Sequence, residues 1–284
     1  MIALQLDELV QRAESLPKLP DTTFRLVHVL ADPDASIQQI VDIIRFDQTV
    51  TTQLLRLCNS AHFGLSRTIA SVDDAVRYIG TAELMRLVMA AHTQTLLGPE
   101  QAGYGLPPGS LWHHSVGVAL GCQVVAEKLA MREQGVLFTV GLLHDIGKIV
   151  LNEHVTSEYA EIVRRVNEDS VSFLEAERDV LGVTHPEVGE LVAKKWGLPD
   201  PIPCCIRYHH EPSALATPDP LVDAVHLSDA ACLVFGIGGG DDSQLYRVDE
   251  TVLERSGLKV SDVENIGASV VHELKSVQAL FETE

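Results

Sequence analysis

The sequence predicts an all-α protein, on three observations. Apolar residues recur at a spacing near 3.6, as in Ile37, Ile40, Val41 and Ile44. Helix signals punctuate the chain, from the capping-box pattern Ser36-Ile37-Gln38-Gln39 to stop residues such as Gly80 and Gly182. Hydrophobic residues make up 46% of the 284 positions and aromatics only 5%, so the core must be mostly Leu, Val, Ile and Ala. That composition suits packed helices better than a β-sandwich. The first third of the chain shows no strand-like alternation of any length.

The elements follow in order. Residues 5–15 form a short amphipathic stretch, closed by Pro17 and Pro20. A helix is expected from Asp21 to Leu30, and Ser36 opens the next. Asp47 reads as the N-cap of a helix that buries Val50, Leu54, Leu55, Leu57 and Cys58, ended by Asn59-Ser60-Ala61 and Gly64. Ser71-Val72-Asp73-Asp74 starts another, Gly80 stops it, and Thr81–Leu97 reads as one long helix. The Gly- and Pro-rich stretch from Gly98 to Gly109 is the best linker candidate. Long helices are then expected at 110–130 and 132–151, with another from Ser157 to Asn167. Ser170 or Ser172 opens a further helix that ends near Gly182. Thr184-His185-Pro186-Glu187 combines a cap, an early Pro and an acid at the third position, and Gly197 and Pro199 stop the helix it starts. The glycines at 236–240 read as a flexible connection, because they lack the strand and helix context of a phosphate loop. The chain thus divides into a helical N-terminal lobe, 1–100, and a larger helical lobe, 101–284. A short linker and apolar faces on both sides imply that the lobes pack together.

A formal charge of −19 repels phosphate backbones and anionic lipid surfaces, which argues against nucleic acid and membrane partners. A small phosphate-containing ligand stays compatible, because bound metals invert the local field. The five cysteines include no CxxC pair and read as reduced, buried thiols. With no basic leader followed by an apolar core, and no uncharged run of membrane-spanning length, a cytoplasmic location is expected.

Chemistry concentrates in a few places. His144-Asp145 lies in the apolar segment Gly141-Leu142-Leu143-His144-Asp145-Ile146-Gly147-Lys148, where a carboxylate is costly unless paired or bound to metal. Asp229 sits in a similar setting, His226-Leu227-Ser228-Asp229-Ala230-Ala231. His114, His185, His209 and His210 add four more imidazoles. Five imidazoles and two carboxylates without a cysteine suit a divalent metal rather than a structural zinc site. Iron and manganese fit best, and zinc is also admitted. Lys148 follows His144 by four residues, which puts both on one helical face, to meet either a phosphate or a nearby acid. His209 and His210 diverge by about 100° on an ideal helix. His28, His62, His92, His154, His226 and His272 read as structural or surface residues, and Asp241-Asp242 as solvated loop.

His114, His144-Asp145 and Asp229 resemble, in order and context, the H…HD…D signature of the HD superfamily of metal-dependent phosphohydrolases. Five further elements resemble the HDOD family within it. These are Leu16-Pro17-Lys18-Leu19-Pro20, Leu55-Arg56-Leu57-Cys58-Asn59-Ser60-Ala61, Trp112 with His114-Ser115, Trp196-Gly197-Leu198-Pro199 and His209-His210. The likeness spans about residues 16–212, with Asp47-Gln48 in place of the usual Asp-Pro. It implies an HD-type helical bundle under a helical N-terminal lobe, and a bacterial-type signalling or regulatory role with a protein partner on that lobe. His185, His209 and His210 match the extra ligands of the related HD-GYP phosphodiesterases, which cleave cyclic di-GMP, and Lys148 matches the lysine of their HDxGK motif. The resemblance therefore implies two ions bridged by Asp145. His114, His144 and Asp229 would complete one, and His185, His209 and His210 the other. Asp145 and Lys148 would be the catalytic pair if phosphoester hydrolysis is retained. Two departures narrow this. Pro212-Ser213-Ala214-Leu215 replaces the Gly-Tyr-Pro motif, which argues against cyclic di-GMP hydrolysis. Ser110 stands where some relatives carry a glutamate for a third metal, which argues against a trinuclear centre.

Overall fold

The computed structural model describes residues 19–32, 34–60, 63, 68–238, 240 and 248–281. The stretch 5–15, Pro17, His62, Gly64 and the Asp241-Asp242 pair lie outside these residues. Among the described residues all regular structure is helical, apart from one isolated antiparallel bridge between Gln101 and Leu106.

The first five helices are α1 (Asp21–Ala31), α2 (Ile37–Arg45), α3 (Gln48–Cys58), α4 (Val72–Ile79) and α5 (Thr81–Leu97). Their ends follow the cap residues. Gln39 Oε1 accepts the Ser36 N–H at 2.6 Å, and the Ser36 hydroxyl accepts the Gln39 N–H, closing the capping box of α2. Asp47 accepts from Val50 N–H at 3.0 Å and also from the Thr22 hydroxyl, so the cap of α3 is tied to α1. Asn59 closes α3 and holds the approach to α4. Its amide donates to Leu55 and Ile69 carbonyls at 2.7 and 2.8 Å, and its oxygen accepts the Ile69 N–H at 2.7 Å.

The larger lobe contains α6 (Ser110–Lys128), α7 (Gln134–Leu143), α8 (Gly147–Asp169), α9 (Phe173–Leu181), α10 (His185–Lys195), α11 (Ile202–Tyr208), α12 (Pro220–Val234), α13 (Glu250–Ser256) and α14 (Val260–Phe281). Helix α6 is central and packs against α7, α12 and α14. Its contact with α7 depends on Gly141, where a β-carbon would stand 2.5 Å from Ala119 Cα. The apolar stretch Gln134–Asn152 is long and apolar enough to cross a membrane, but 83% of it is buried inside the protein.

Two hydrophobic cores result. One joins residues from Leu26 to Val88 and the other is built mainly from α6 to α14. Helix α5 enters both, with Leu84, Leu87 and Val88 in the first and Met89, Ala90, Leu96 and Leu97 in the second. Trp112 on α6 reinforces the junction by donating to the Ala90 carbonyl at 2.9 Å.

One expectation is corrected and two are made specific. The helix expected at 132–151 breaks at His144–Ile146, and the segment after it runs unbroken to Asp169. The break is made of short-range bonds, Ile146 N–H to Leu143 O at 3.0 Å and Lys148 N–H to Asp145 O at 3.0 Å. Just after it, Gly147 meets the backbone of α10. Second, Ser172 caps α9, whereas Ser170 ends α8 in the left-handed region at φ 57°. Third, the stretch 98–109, the linker candidate, is a packed loop. Gly109 N–H bonds Gly98 O at 2.7 Å, Gly103 N–H bonds Asn152 Oδ1 at 2.9 Å, and Tyr104 is wholly buried.

Candidate metal centre

Three helices and two turns deliver the site. His114 comes from the second turn of α6, His144 and Asp145 from the break between α7 and α8, and His185 from the first position of α10. The Glu187 carboxylate accepts the Thr184 N–H at 2.8 Å and so fixes where α10 begins. His209 and His210 follow the end of α11, and Asp229 lies inside α12.

The ring orientations are set by hydrogen bonds. The Nδ1 atoms of His114, His144 and His209 lie 2.9, 2.8 and 2.7 Å from the carbonyls of Ile237, Gly141 and Ile206. A carbonyl only accepts, so each Nδ1 carries the proton and each neutral ring presents a bare Nε2. For His185 the acceptor is a carboxylate, Glu177 Oε2, at 2.8 Å from Nδ1. This is the arrangement that orients metal-ligating histidines.

The aimed atoms converge into two groups. Asp145, His185, His209 and His210 form one, and His114, His144 and Asp229 the other; within each, the ligating atoms lie within 4.8 Å of one another. Asp145 faces both. Its Oδ1 is 3.4 Å from His185 Nε2 and 3.7 Å from His209 Nε2, while Oδ2 is 3.3 Å from His144 Nε2 and 3.8 Å from His114 Nε2. Asp229 Oδ1 is 3.1 Å from His114 Nε2, and Oδ2 is 3.5 Å from His210 Nδ1. Metal–ligand bonds of about 2.1 Å imply donor–donor edges of roughly 3.0–3.5 Å, so the separations match the rim of a coordination shell. His144 Nε2, His209 Nε2, Asp145 Oδ1 and both Asp229 oxygens are buried without a hydrogen bond of sound geometry. Orphaned buried acceptors of this kind are rare and costly, and a cation would satisfy them together. The residues therefore fit a metal.

Electrostatics points the same way. Burial would raise the Asp145 carboxyl, but His144 and Lys148 overcome it and hold it well below the usual carboxylate range. Burial also opposes ionisation of Asp229, and His114 and His210 again outweigh it. Burial pushes His209 down to about 3, helped by His144. Burial and His209 push His210 well below its ordinary value. His114 moves upward despite burial, because Asp229 stands beside it. Near neutral pH the set thus contains ionised carboxylates and at least two neutral imidazoles, the forms that ligate metals.

One detail differs from the sequence reading and one is made specific. His209 and His210 do not diverge around an ideal helix. Helix α11 ends at Tyr208, and their ring centroids lie 4.0 Å apart in one group. Lys148 and His144 meet at the same Asp145 oxygen, so of the two partners expected for Lys148 it is the acid that the structure shows. The Lys148 Nζ bonds Asp145 Oδ2 at 2.6 Å, and the residue is only 2% exposed. His113 stays outside the groups, its ring tilted against Trp112 with centroids 5.2 Å apart. His226 is buried in a structural role between the His209 carbonyl and the Asp249 N–H. His92 is likewise structural, bonded to the Thr23 hydroxyl, while His28 and His272 are exposed.

The sequence reading missed Glu177 and Tyr104. Glu177 is fully buried and accepts from Tyr104 Oη at 2.5 Å as well as from His185. A signal for it existed, since Phe173, Ala176, Glu177 and Val180 share one face of α9, which places an acid on an apolar stripe. Tyr104 lies in a Gly/Pro-rich loop and carries no such signal.

The comparisons agree with this architecture. Residues 16–212 match the HDOD domain. The chain is similar to the crystal structure of an HDOD domain protein from Geobacter sulfurreducens, with 28% identity, coverage of 98% of this chain and 99% of that one, and a TM-score of 0.72. A protein of Shewanella amazonensis, whose name suggests a phosphohydrolase, shares the fold at 23% identity, with 96% and 98% coverage and a TM-score of 0.68. An uncharacterized protein of Treponema pallidum (strain Nichols) is 27% identical over 230 residues; these are 76% of this chain but only 42% of that longer protein. With a domain match over most of its length and the expected all-helical bundle around the converging His and Asp residues, the chain belongs to the HDOD family.

Proposed function

We propose that the protein is a signalling or regulatory module whose larger lobe holds two divalent ions, iron or manganese in preference to zinc. The observation that carries this is the pair of buried ligand groups, with one Asp145 oxygen turned toward each. His114, His144 and Asp229 would hold one ion, and His185, His209 and His210 the other. Two features favour a binding role over turnover. His210 is the most open of these side chains at 13% exposure, and Lys148 is buried against Asp145, where it cannot reach a substrate phosphate without moving. The N-terminal lobe would supply the partner surface, supported by the exposed Ile37, Phe46 and Tyr78.

The competing reading is a phosphohydrolase, favoured by the complete ligand set. Bound ions would then supply Lewis-acid polarisation of a phosphoester and an activated water. Asp145 would hold both ions in place, and Lys148 would have to leave Asp145 to stabilise phosphate charge. Elemental analysis and a phosphoester panel separate the readings. The regulatory reading expects close to two ions per chain, lost in the His144→Ala, Asp145→Ala double variant, with no turnover of phosphomonoesters or cyclic dinucleotides by the loaded protein. Turnover that disappears in the double variant would establish the hydrolase instead. Metal-free wild-type protein, even after loading, would overturn both.

A further inference from the structure

We infer that Glu177 is the positioning residue for His185, with Tyr104 as its anchor, and that this buried relay decides whether the second ion is held. The inference rests on the two-ion reading above and adds residues outside the ligand set.

The geometry is a two-point clamp. Glu177 Oε2 accepts both the backbone N–H of His185, at 3.0 Å, and its ring Nδ1–H, at 2.8 Å. The backbone bond fixes the first residue of α10, where the N–H has no partner within the helix. The ring bond fixes the tautomer and the side-chain torsions. Together they leave Nε2 bare, 3.4 Å from Asp145 Oδ1 and 3.0 Å from His210 Nε2. Two imidazole Nε2 atoms at 3.0 Å either share a proton or share an ion. A proton already placed on Nδ1 by Glu177 makes His185 the acceptor and suits it to ligation. The other oxygen, Oε1, accepts from Tyr104 Oη at 2.5 Å. Glu177, Tyr104 and His185 are all almost completely buried, so water cannot replace a lost partner. Tyr104 also packs on Phe173 and edge-on to His185, with centroids 5.5 and 6.1 Å away.

Because Tyr104 sits in the loop between the lobes, the relay connects that loop to the second ligand group. His114, His144 and Asp229 have no contact with Glu177 of this kind, so the effect should fall on one ion only.

The test uses the full chain with Mn²⁺ as the probe and reads ions per chain, affinity and the ¹⁵N signature of His185. Wild-type protein should take two Mn²⁺. Glu177→Gln should keep one tightly and bind the second about 10- to 100-fold more weakly, the usual cost of removing a partner behind a ligating histidine. In metal-free protein, His185 should carry its proton on Nδ1 in the wild type and show mixed tautomers in Glu177→Gln. Equal affinity for both ions in wild type and variant overturns the inference, and so does a wild-type His185 protonated on Nε2. If the wild type binds no Mn²⁺ yet Glu177→Gln changes the His185 tautomer, the two-ion reading falls and the positioning role stands. Should Glu177→Gln fail to fold, Tyr104→Phe keeps the ring packing and removes only the anchor. A several-fold weaker second site then upholds the relay, and an unchanged one overturns it. A mere helix cap would lower stability without moving the tautomer or the ion count.

Discussion

Gly147 follows directly on the His144-Asp145-Ile146 turn, and its missing side chain is what lets that turn exist. A β-carbon there would lie 1.9 Å from the His185 carbonyl oxygen and 2.7 Å from the Gly189 nitrogen. Both are backbone atoms of α10, which cannot rotate aside as a flexible side chain can. Gly147→Ala should therefore cost about 3 kcal/mol or more, at the upper end for overpacking, read as a lower urea midpoint. A loss under about 1 kcal/mol would mean that α10 can retreat, and that the glycine is not what sets its distance from Asp145. The same residue shows how far sequence reading reached. Gly147-Lys148 was legible as a motif after the HD pair. That its glycine permits backbone contact between α8 and α10 required the partner helix.

At the level of elements, many boundaries were legible where a side chain caps its own helix, although the caps Asp219 of α12 and Asp249 of α13 were passed over. Ser36, Asp47, Ser71 and Ser172 all accept backbone N–H groups at the starts of their helices. Asp47→Ala should cost about 1–2 kcal/mol, at the high end for an N-cap, because Thr22 loses its partner along with Val50 N–H. Thermal or urea unfolding will read this, and an effect within about 0.3 kcal/mol would show that water replaces both bonds. The break at 144–146 was not legible. Leu142, Leu143, Ile146, Val150 and Leu151 continue an apolar pattern straight through it, and nothing local marks a stop. The turn is accompanied by the local Asp145–Lys148 pair and by a tertiary contact, the abutment of Gly147 on α10.

For the whole molecule, α5 matters most, since it supplies residues to both cores. Unfolding either lobe would strip one side of this helix, so the lobes should unfold together. Trp112 and Trp196 both lie in the larger core, so fluorescence follows that lobe while far-UV circular dichroism follows all helices. The two urea transitions should coincide. Separated midpoints would show that the N-terminal lobe opens on its own. The sequence alone determined the helical class and most helix ends as far as Gly197, and it proposed the seven residues of the candidate centre. Periodicity and capping act within one or two turns, carboxylates in apolar segments such as Asp145 and Asp229 stand out without any partner, and the resemblance to the HD superfamily implied the rest of the ligand set. Only the tertiary structure decided that Lys148 is committed to the Asp145 carboxylate and that Tyr104 and Glu177 stand behind His185. The last of these depends on approach distances between segments tens of residues apart, such as the 73 positions between Tyr104 and Glu177. That separation is closed by the 102–104 turn and α9 packing together on α8, and it has no counterpart in local sequence.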